Sequence, residues 1–171
     1  MSEEFLKDVR IKNQGRRFKF RVAGIIEHNN KVLVVKMNQN PFFCFPGGHV
    51  ELLEETAKAV ERELNEELFF KVKVEKLLYI HENFFNAESN KFHELCFYFK
   101  AVPAEENFVP QDKNHEEMDC GQLVKHQYRW FDKKELKEID AEPKLIIKEY
   151  LNDSDKFLHL VTNDLDKVAK S

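Results

Sequence analysis

Apolar and polar positions alternate at the start of RFKFRVAGIIE, residues 17–27, before the stretch turns apolar, and KVLVVK at 31–36 resumes that character. A period of two marks a strand, with successive side chains on opposite faces. His28, Asn29 and Asn30 lie between the runs, and Asn tolerates the left-handed backbone of tight hairpins, so an antiparallel pair is expected. NQNPFFCFPGG, 38–48, is turn-rich around a short aromatic strand, and Pro46 with Gly47 and Gly48 stops any helix before His49. Over 54–68 the spacing changes to three and four, which predicts a helix with an apolar face of Leu53, Ala57, Val60, Leu64 and Leu68.

KVKVEKLLYIHENFF (71–85) and KFHELCFYFKAV (91–102) read as two more strands joined by a turn at 86–90. In the second, Phe92, Glu94, Cys96 and Tyr98 share one side. Residues 103–122 read as a long polar connection, of the kind that often carries function. HQYRWFD (126–132) is a strand, KKELKEI a short helix, LIIKEYL (145–151) part of a second helix, and FLHLVTN a final short strand. The order of strands, helix, strands, helix gives an α/β chain whose mixed sheet has helices packed on it. A length of 171 residues suits a single domain over 1–171.

Bulk properties exclude more than they assign. A net charge of −4 and scattered Lys and Arg argue against a nucleic acid polymer as partner. No apolar run reaches the roughly 20 residues of a membrane span, so no membrane partner is expected. The charged start MSEEFLKDVR lacks an apolar core, so it is not expected to be a secretory signal. Cys44, Cys96 and Cys120 are too far apart for a zinc ribbon, and their odd number suits reduced thiols in the cytoplasm. Oligomeric state is not encoded in any of these features, and a homodimer stays open.

Chemistry concentrates in GGHVELLEETAKAVERELNEELFF, 47–70. Glu63 and Glu67 are four apart and share a helix side, with Glu66 beside them. They flank the apolar stripe of Val60, Leu64 and Leu68, so they face a groove beside the sheet. At about 6 Å and an effective dielectric of about 20, each carboxylate pair repels by roughly 3 kcal/mol. Arg62 is the one basic residue within 59–70 and cannot offset three anions. A hard divalent cation could, since Mg²⁺ takes oxygen ligands and keeps waters for phosphates. A solvated acidic helix explains the acids alone. The preceding Gly47 and Gly48, whose bare backbone admits an ion or a diphosphate closely, favour the metal site.

The stretch resembles the signature of the Nudix hydrolase family: Gly, five residues, Glu, seven residues, then Arg-Glu-hydrophobic-any-Glu-Glu-any-Gly-hydrophobic. Here these positions are Gly48, Glu54, Arg62-Glu63-Leu64-Asn65-Glu66-Glu67-Leu68 and Phe69-Phe70. Phe69 replaces the family's Gly, a residue that usually closes a helix in a left-handed conformation, so an altered helix end is expected. The resemblance implies a Nudix-like α/β/α sandwich with a mixed β-sheet. It also implies hydrolysis of a nucleoside diphosphate linked to another moiety, a nucleoside triphosphate or a nucleotide sugar, with Mg²⁺ or Mn²⁺.

Carried over by position, Gly48, Glu63, Glu66 and Glu67 are the expected metal ligands. Arg62 would orient Glu63, and Glu54 would be structural at the helix start. Water attack on phosphorus needs a base. Glu63 is one candidate, with Glu67 part of the same catalytic group, and Glu116 and Glu117 in the long connection are the others. Arg21, Phe43, Gly47 and His49 are candidate contacts to a small-molecule nucleotide. A nucleotide-sensing module that binds without cleaving is the competing class.

Overall fold

A computed structural model describes residues 7–119, 121–152 and 156–166; Cys120 lies outside the described residues. Strands β1 (Arg10–Asn13), β2 (Arg16–His28), β3 (Lys31–Met37) and β4 (Gly47–His49) precede helix α1 (Thr56–Glu67). Then come β5 (Val72–Ala87), β6 (Asn90–Pro103), β7 (Lys113–Asp119) and β8 (Gln122–Asp132). A 3₁₀ turn (Lys133–Lys137), α2 (Lys144–Leu151) and β9 (Leu158–Asn163) complete the order.

The expected hairpin forms, with both turn residues left-handed: Asn29 at φ 50° and Asn30 at φ 63°. Its strands pair only at their base, Glu27 with Val32 and His28 with Lys31, and then diverge. β3 continues along β8, from Lys31 opposite Asp132 to Met37 opposite His126. β2 instead takes β6 in parallel on one edge and β1, β4 and the base of β3 in succession on the other. β4 therefore lies where the two halves of the sheet part, and it carries the Gly pair to that point.

Both faces of the sheet are covered, because the central strands are apolar on both sides. Val22, Ile26, Leu33 and Val35 pack with Ala59, Val60 and Leu64 of α1. Ala23, Ile25, Val32 and Val34 pack with Leu136 and with Ile146, Ile147 and Tyr150 of α2. Each large aliphatic side chain buried this way contributes about 1.5–3 kcal/mol. The result is an α/β/α sandwich on a mixed sheet, as expected. Gly24 lets α1 approach: a Cβ there would stand 2.5 Å from Leu64 Cδ1.

Several sequence expectations need correction. The helix begins at Thr56, which leaves Leu53 outside it, and within the helix Ala57 is exposed while Ala59 takes a place on the apolar face. Leu53 sits at φ +66° and is fully exposed. The segment before the helix is a turn, in which Glu54 N donates to Glu51 O at 3.2 Å. At the other end Phe69 avoids the left-handed conformation. Leu68 caps the helix in an extended conformation, its N–H still donating to Leu64 O at 2.9 Å. Seven of the twenty residues of the supposed loop at 103–122 form the edge strand β7, paired with β8 from Lys113–Tyr128 to Asp119–Gln122. KNHEEMD is polar on both faces, so its pairing leaves no apolar alternation to read. β1 escapes notice for the same reason, being exposed throughout.

Candidate active site

Arg62 organises the acids of α1. Its Nε donates to Glu54 Oε1 at 2.8 Å and its Nη2 to Glu54 Oε2 at 2.9 Å, a two-pronged grip that only a guanidinium makes. Nη2 also donates to the His49 carbonyl at 3.1 Å, and Nη1 to Glu63 Oε1 at 2.9 Å and Glu66 Oε2 at 3.4 Å. Glu54 Oε2 accepts a further bond from Glu51 N at 2.9 Å. The hydrogen bond from Arg62 holds the Glu54 carboxyl below the usual carboxylate range. Glu54 is thus the anchor that fixes Arg62, and Arg62 fixes Glu63.

Glu63 lies against Gly48. A Cβ at Gly48 would stand 2.0 Å from Glu63 Oε2, so the carboxylate occupies space that any other residue would fill. Gly47 is required for a different reason, since a Cβ there would stand 2.1 Å from the Val22 carbonyl oxygen. Burial raises the Glu63 carboxyl, although Arg62 pulls against it. Glu67 is moved much further: burial, then the charges of Glu63 and Glu117, push it up to about 8, while Arg21 and the Gly47 backbone oppose the shift. Glu66 stands apart at the surface, with a side chain 61% exposed.

The remaining candidates fall in different places. Arg21 runs beneath β4, donating from Nη2 to the Gly47 carbonyl at 3.2 Å and pairing with buried Glu94 at 3.8 Å. His49 is opposite Arg21 in register, 3.9 Å from Asp8. Burial, then Arg21, lowers its pKa to about 4, so it is neutral at physiological pH. Phe43 packs into the α2-side core against Phe131, with ring centroids 5.5 Å apart, and is not gathered with the acids. Glu116 pairs with Lys125 at 3.0 Å. Adjacent strand residues face opposite ways, and Glu117 approaches His126 at 3.0 Å while adding its charge to Glu67.

A NUDIX domain model matches residues 16–150. The chain belongs to the NUDIX family. It is 45% identical over 65 residues to an ADP-ribose pyrophosphatase of Methanocaldococcus jannaschii, a match spanning 36% of this chain and 38% of that relative. Among solved structures, a NUDIX hydrolase from Nitrosomonas europaea aligns at TM-score 0.58 and 21% identity, covering 85% of this chain and 78% of the other. A UDP-X diphosphatase aligns at TM-score 0.55 and 17% identity, covering 92% and 72%. These two show a shared fold.

NUDIX proteins generally use divalent metals. Among the described residues of this NUDIX chain, no three His, Cys, Asp or Glu side chains form a ready-made metal cluster, since Glu63 and Glu66 both turn to Arg62. The donor chemistry still fits a hard cation. Carboxylate oxygens lie beside bare glycine backbone, and the carboxyl of Glu67 is costly to ionise beside Glu63 unless positive charge arrives. Sequence reasoning missed the two-pronged Glu54–Arg62 grip and the His49 carbonyl, because Glu54 and His49 lie outside the helix and no periodicity links them to it.

Proposed function

We propose that this NUDIX protein is a Mg²⁺- or Mn²⁺-dependent pyrophosphohydrolase that cleaves the diphosphate of a nucleoside diphosphate linked to another moiety. A nucleotide sugar of the ADP-ribose kind is favoured over a nucleoside triphosphate by the partial likeness to an ADP-ribose pyrophosphatase. The observation that carries the reading is the hold of Arg62 on Glu63 against Gly48, with Glu67 one helical turn on. Glu63, Glu66, Glu67 and the Gly48 carbonyl would hold the metal. When bound, the cation polarises phosphoryl oxygens and lowers the pKa of a coordinated water.

The chain's own residues supply the rest. Arg62, itself locked by Glu54, keeps the Glu63 carboxylate in one orientation, and positioning of this kind counts for much of catalysis. Arg21 holds the Gly47 carbonyl and so the edge strand on which a diphosphate would lie. Of the acids in the connecting segment, Glu117 adds its charge to the environment of Glu67, which supports Glu117, beside Glu63, as the group that would take the proton of the attacking water.

Incubation with ADP-ribose, UDP-sugars and nucleoside triphosphates in ¹⁸O water with Mg²⁺, read by mass spectrometry, tests the reading. One class should be cleaved, and Glu63→Gln or Glu67→Gln should abolish product. Thermal stabilisation by a nucleotide without any product would point instead to a sensing module.

A further inference from the structure

The edge hairpin of β7 and β8 carries a second set of donor groups. His115 and Glu117 are two apart on β7 and so share a face, and His126 stands directly opposite His115 on β8. Glu117 reaches both rings: its Oε1 is 3.0 Å from His126 Nε2 and its Oε2 is 3.9 Å from His115 Nε2. The rings themselves are 6.1 Å apart between centroids. One carboxylate oxygen thus turns toward each imidazole.

His126 is the residue that calls for a ligand. Its side chain is only 10% exposed, and Nε2 makes no hydrogen bond although Glu117 Oε1 is so close. The two atoms lie side by side, out of line for a proton between them. A buried nitrogen left this way is rare in folded proteins. Side-by-side donors are what a metal ion needs. With tetrahedral bonds of about 2.0–2.2 Å, neighbouring ligand atoms stand about 3.3 Å apart. The separations of 3.0 and 3.9 Å bracket that value. His126 Nδ1 is meanwhile 3.4 Å from the Tyr128 hydroxyl, the kind of outer partner that fixes the ring of a metal-binding histidine. Among the described residues no three such groups are already closed on one point. Closing this set takes a turn of His115, whose side chain is 42% exposed and meets Phe69 edge to face. Lys113, next along the same face, keeps its ammonium over the Phe69 ring, 3.1 Å from the centroid.

We propose that His115, Glu117 and His126 form a binding site for a transition-metal ion of the Zn²⁺ type, with water in the fourth position. Two imidazoles and one carboxylate suit Zn²⁺, whereas Mg²⁺ prefers oxygen ligands throughout. The site is therefore chemically distinct from the acids of α1. A cation seated there takes the Glu117 carboxylate, so Zn²⁺ acts as a brake on turnover. That consequence rests on the diphosphate hydrolase reading, while the existence of the site does not.

Zn²⁺ is titrated into the full chain with Mg²⁺ in excess, which keeps the acids of α1 supplied with their own cation, and the histidine ring resonances are followed by NMR. One equivalent should shift the His115 and His126 rings together, and Mg²⁺ alone should move neither. His115→Ala, a change at an exposed side chain, and Glu117→Gln should each weaken Zn²⁺ binding by about a hundred-fold, and Tyr128→Phe by about ten-fold. No binding, rings that stay still, or undiminished binding in His115→Ala would overturn the inference; the last two results would put Zn²⁺ on Glu63 and Glu67 instead. Turnover is scored separately. Where a diphosphate is cleaved, Zn²⁺ should slow the wild type more than His115→Ala. Equal slowing of both would remove the brake and leave the site. Zn²⁺ on both rings with no cleavage of any substrate would support the site and sink the enzyme.

Discussion

Arg62 and Glu54 are joined by two parallel hydrogen bonds of 2.8 and 2.9 Å, although Glu54 precedes the helix that carries Arg62. The pair ties the turn before α1 to the helix and orients Glu63 at the same time. Lysine keeps the charge but cannot make two such bonds at once. Arg62→Lys should therefore cost about 2 kcal/mol of stability and lower kcat by about a hundred-fold, because a small misplacement of a catalytic group has effects of that size. Denaturant midpoints and steady-state rates check both. A variant with wild-type kcat would show that Glu63 does not depend on this grip.

Glu67 makes a pH prediction with an unusual sign. Its carboxyl titrates near 8 in the fold, against roughly 4.3 when unfolded. Between those values the native chain keeps a proton that the unfolded chain has released, so stability falls as pH rises. Above about pH 8 the loss is complete. Glu54 acts oppositely, because its lowered value gives stability that is present above the unfolded pKa and lost as pH falls through the folded one. His49 and His81, lowered in the fold, add stability as pH rises to about 6.5, so the urea midpoints of the metal-free protein should decline from about pH 6.5 to pH 8. Glu67→Gln should flatten the decline, and Mg²⁺ should stabilise the wild type more at pH 8 than at pH 5. An unchanged slope in the variant would contradict the buried-carboxylate picture.

The sequence carried this site to an unequal degree. Val60 and Leu64 recur at helical spacing, so the face of α1 and the flank position of Glu63 could be placed without coordinates. Asn29 and Asn30 likewise announced their hairpin. Glu54 looked like an ordinary acid at a helix start because its partner is eight residues away, across a turn that has no period. The group of His115, Glu117 and His126 was hidden for a similar reason. Its members meet only through the pairing of β7 with β8, and β7 has polar side chains on both faces.

Leu53 is a place where this chain departs from local preference. It adopts φ +66° with a fully exposed side chain, so it bears the left-handed strain and gains no packing. Glycine relieves that strain, worth about 1 kcal/mol. Leu53→Gly should raise the melting temperature by about 2–4 °C and leave kcat unchanged, since Leu53 makes no contact with the acids. Calorimetry decides this, and a lower melting temperature would mean that the flexibility added to the unfolded chain outweighs the relief.

Glu116 and Glu117 are neighbours in sequence and lie on opposite faces of β7. Glu116 is spent on Lys125 at 3.0 Å, an exposed pair of the kind worth 1 kcal/mol or less, roughly. Glu117 adds its negative charge to the environment of Glu67 and Tyr128. Glu116→Gln should therefore leave kcat within about two-fold of wild type. Glu117→Gln should lower it by about a hundred-fold or more if this carboxylate takes the proton of the attacking water, the usual scale for a general base. It should also bring the Glu67 pKa down, because one of the charges that raises it is gone. Side-chain carboxyl titration by NMR reads that second effect independently of turnover. If kcat survives while the Glu67 pKa falls, Glu117 shapes the field and the proton goes to Glu63. If neither changes, β7 does not belong to the site.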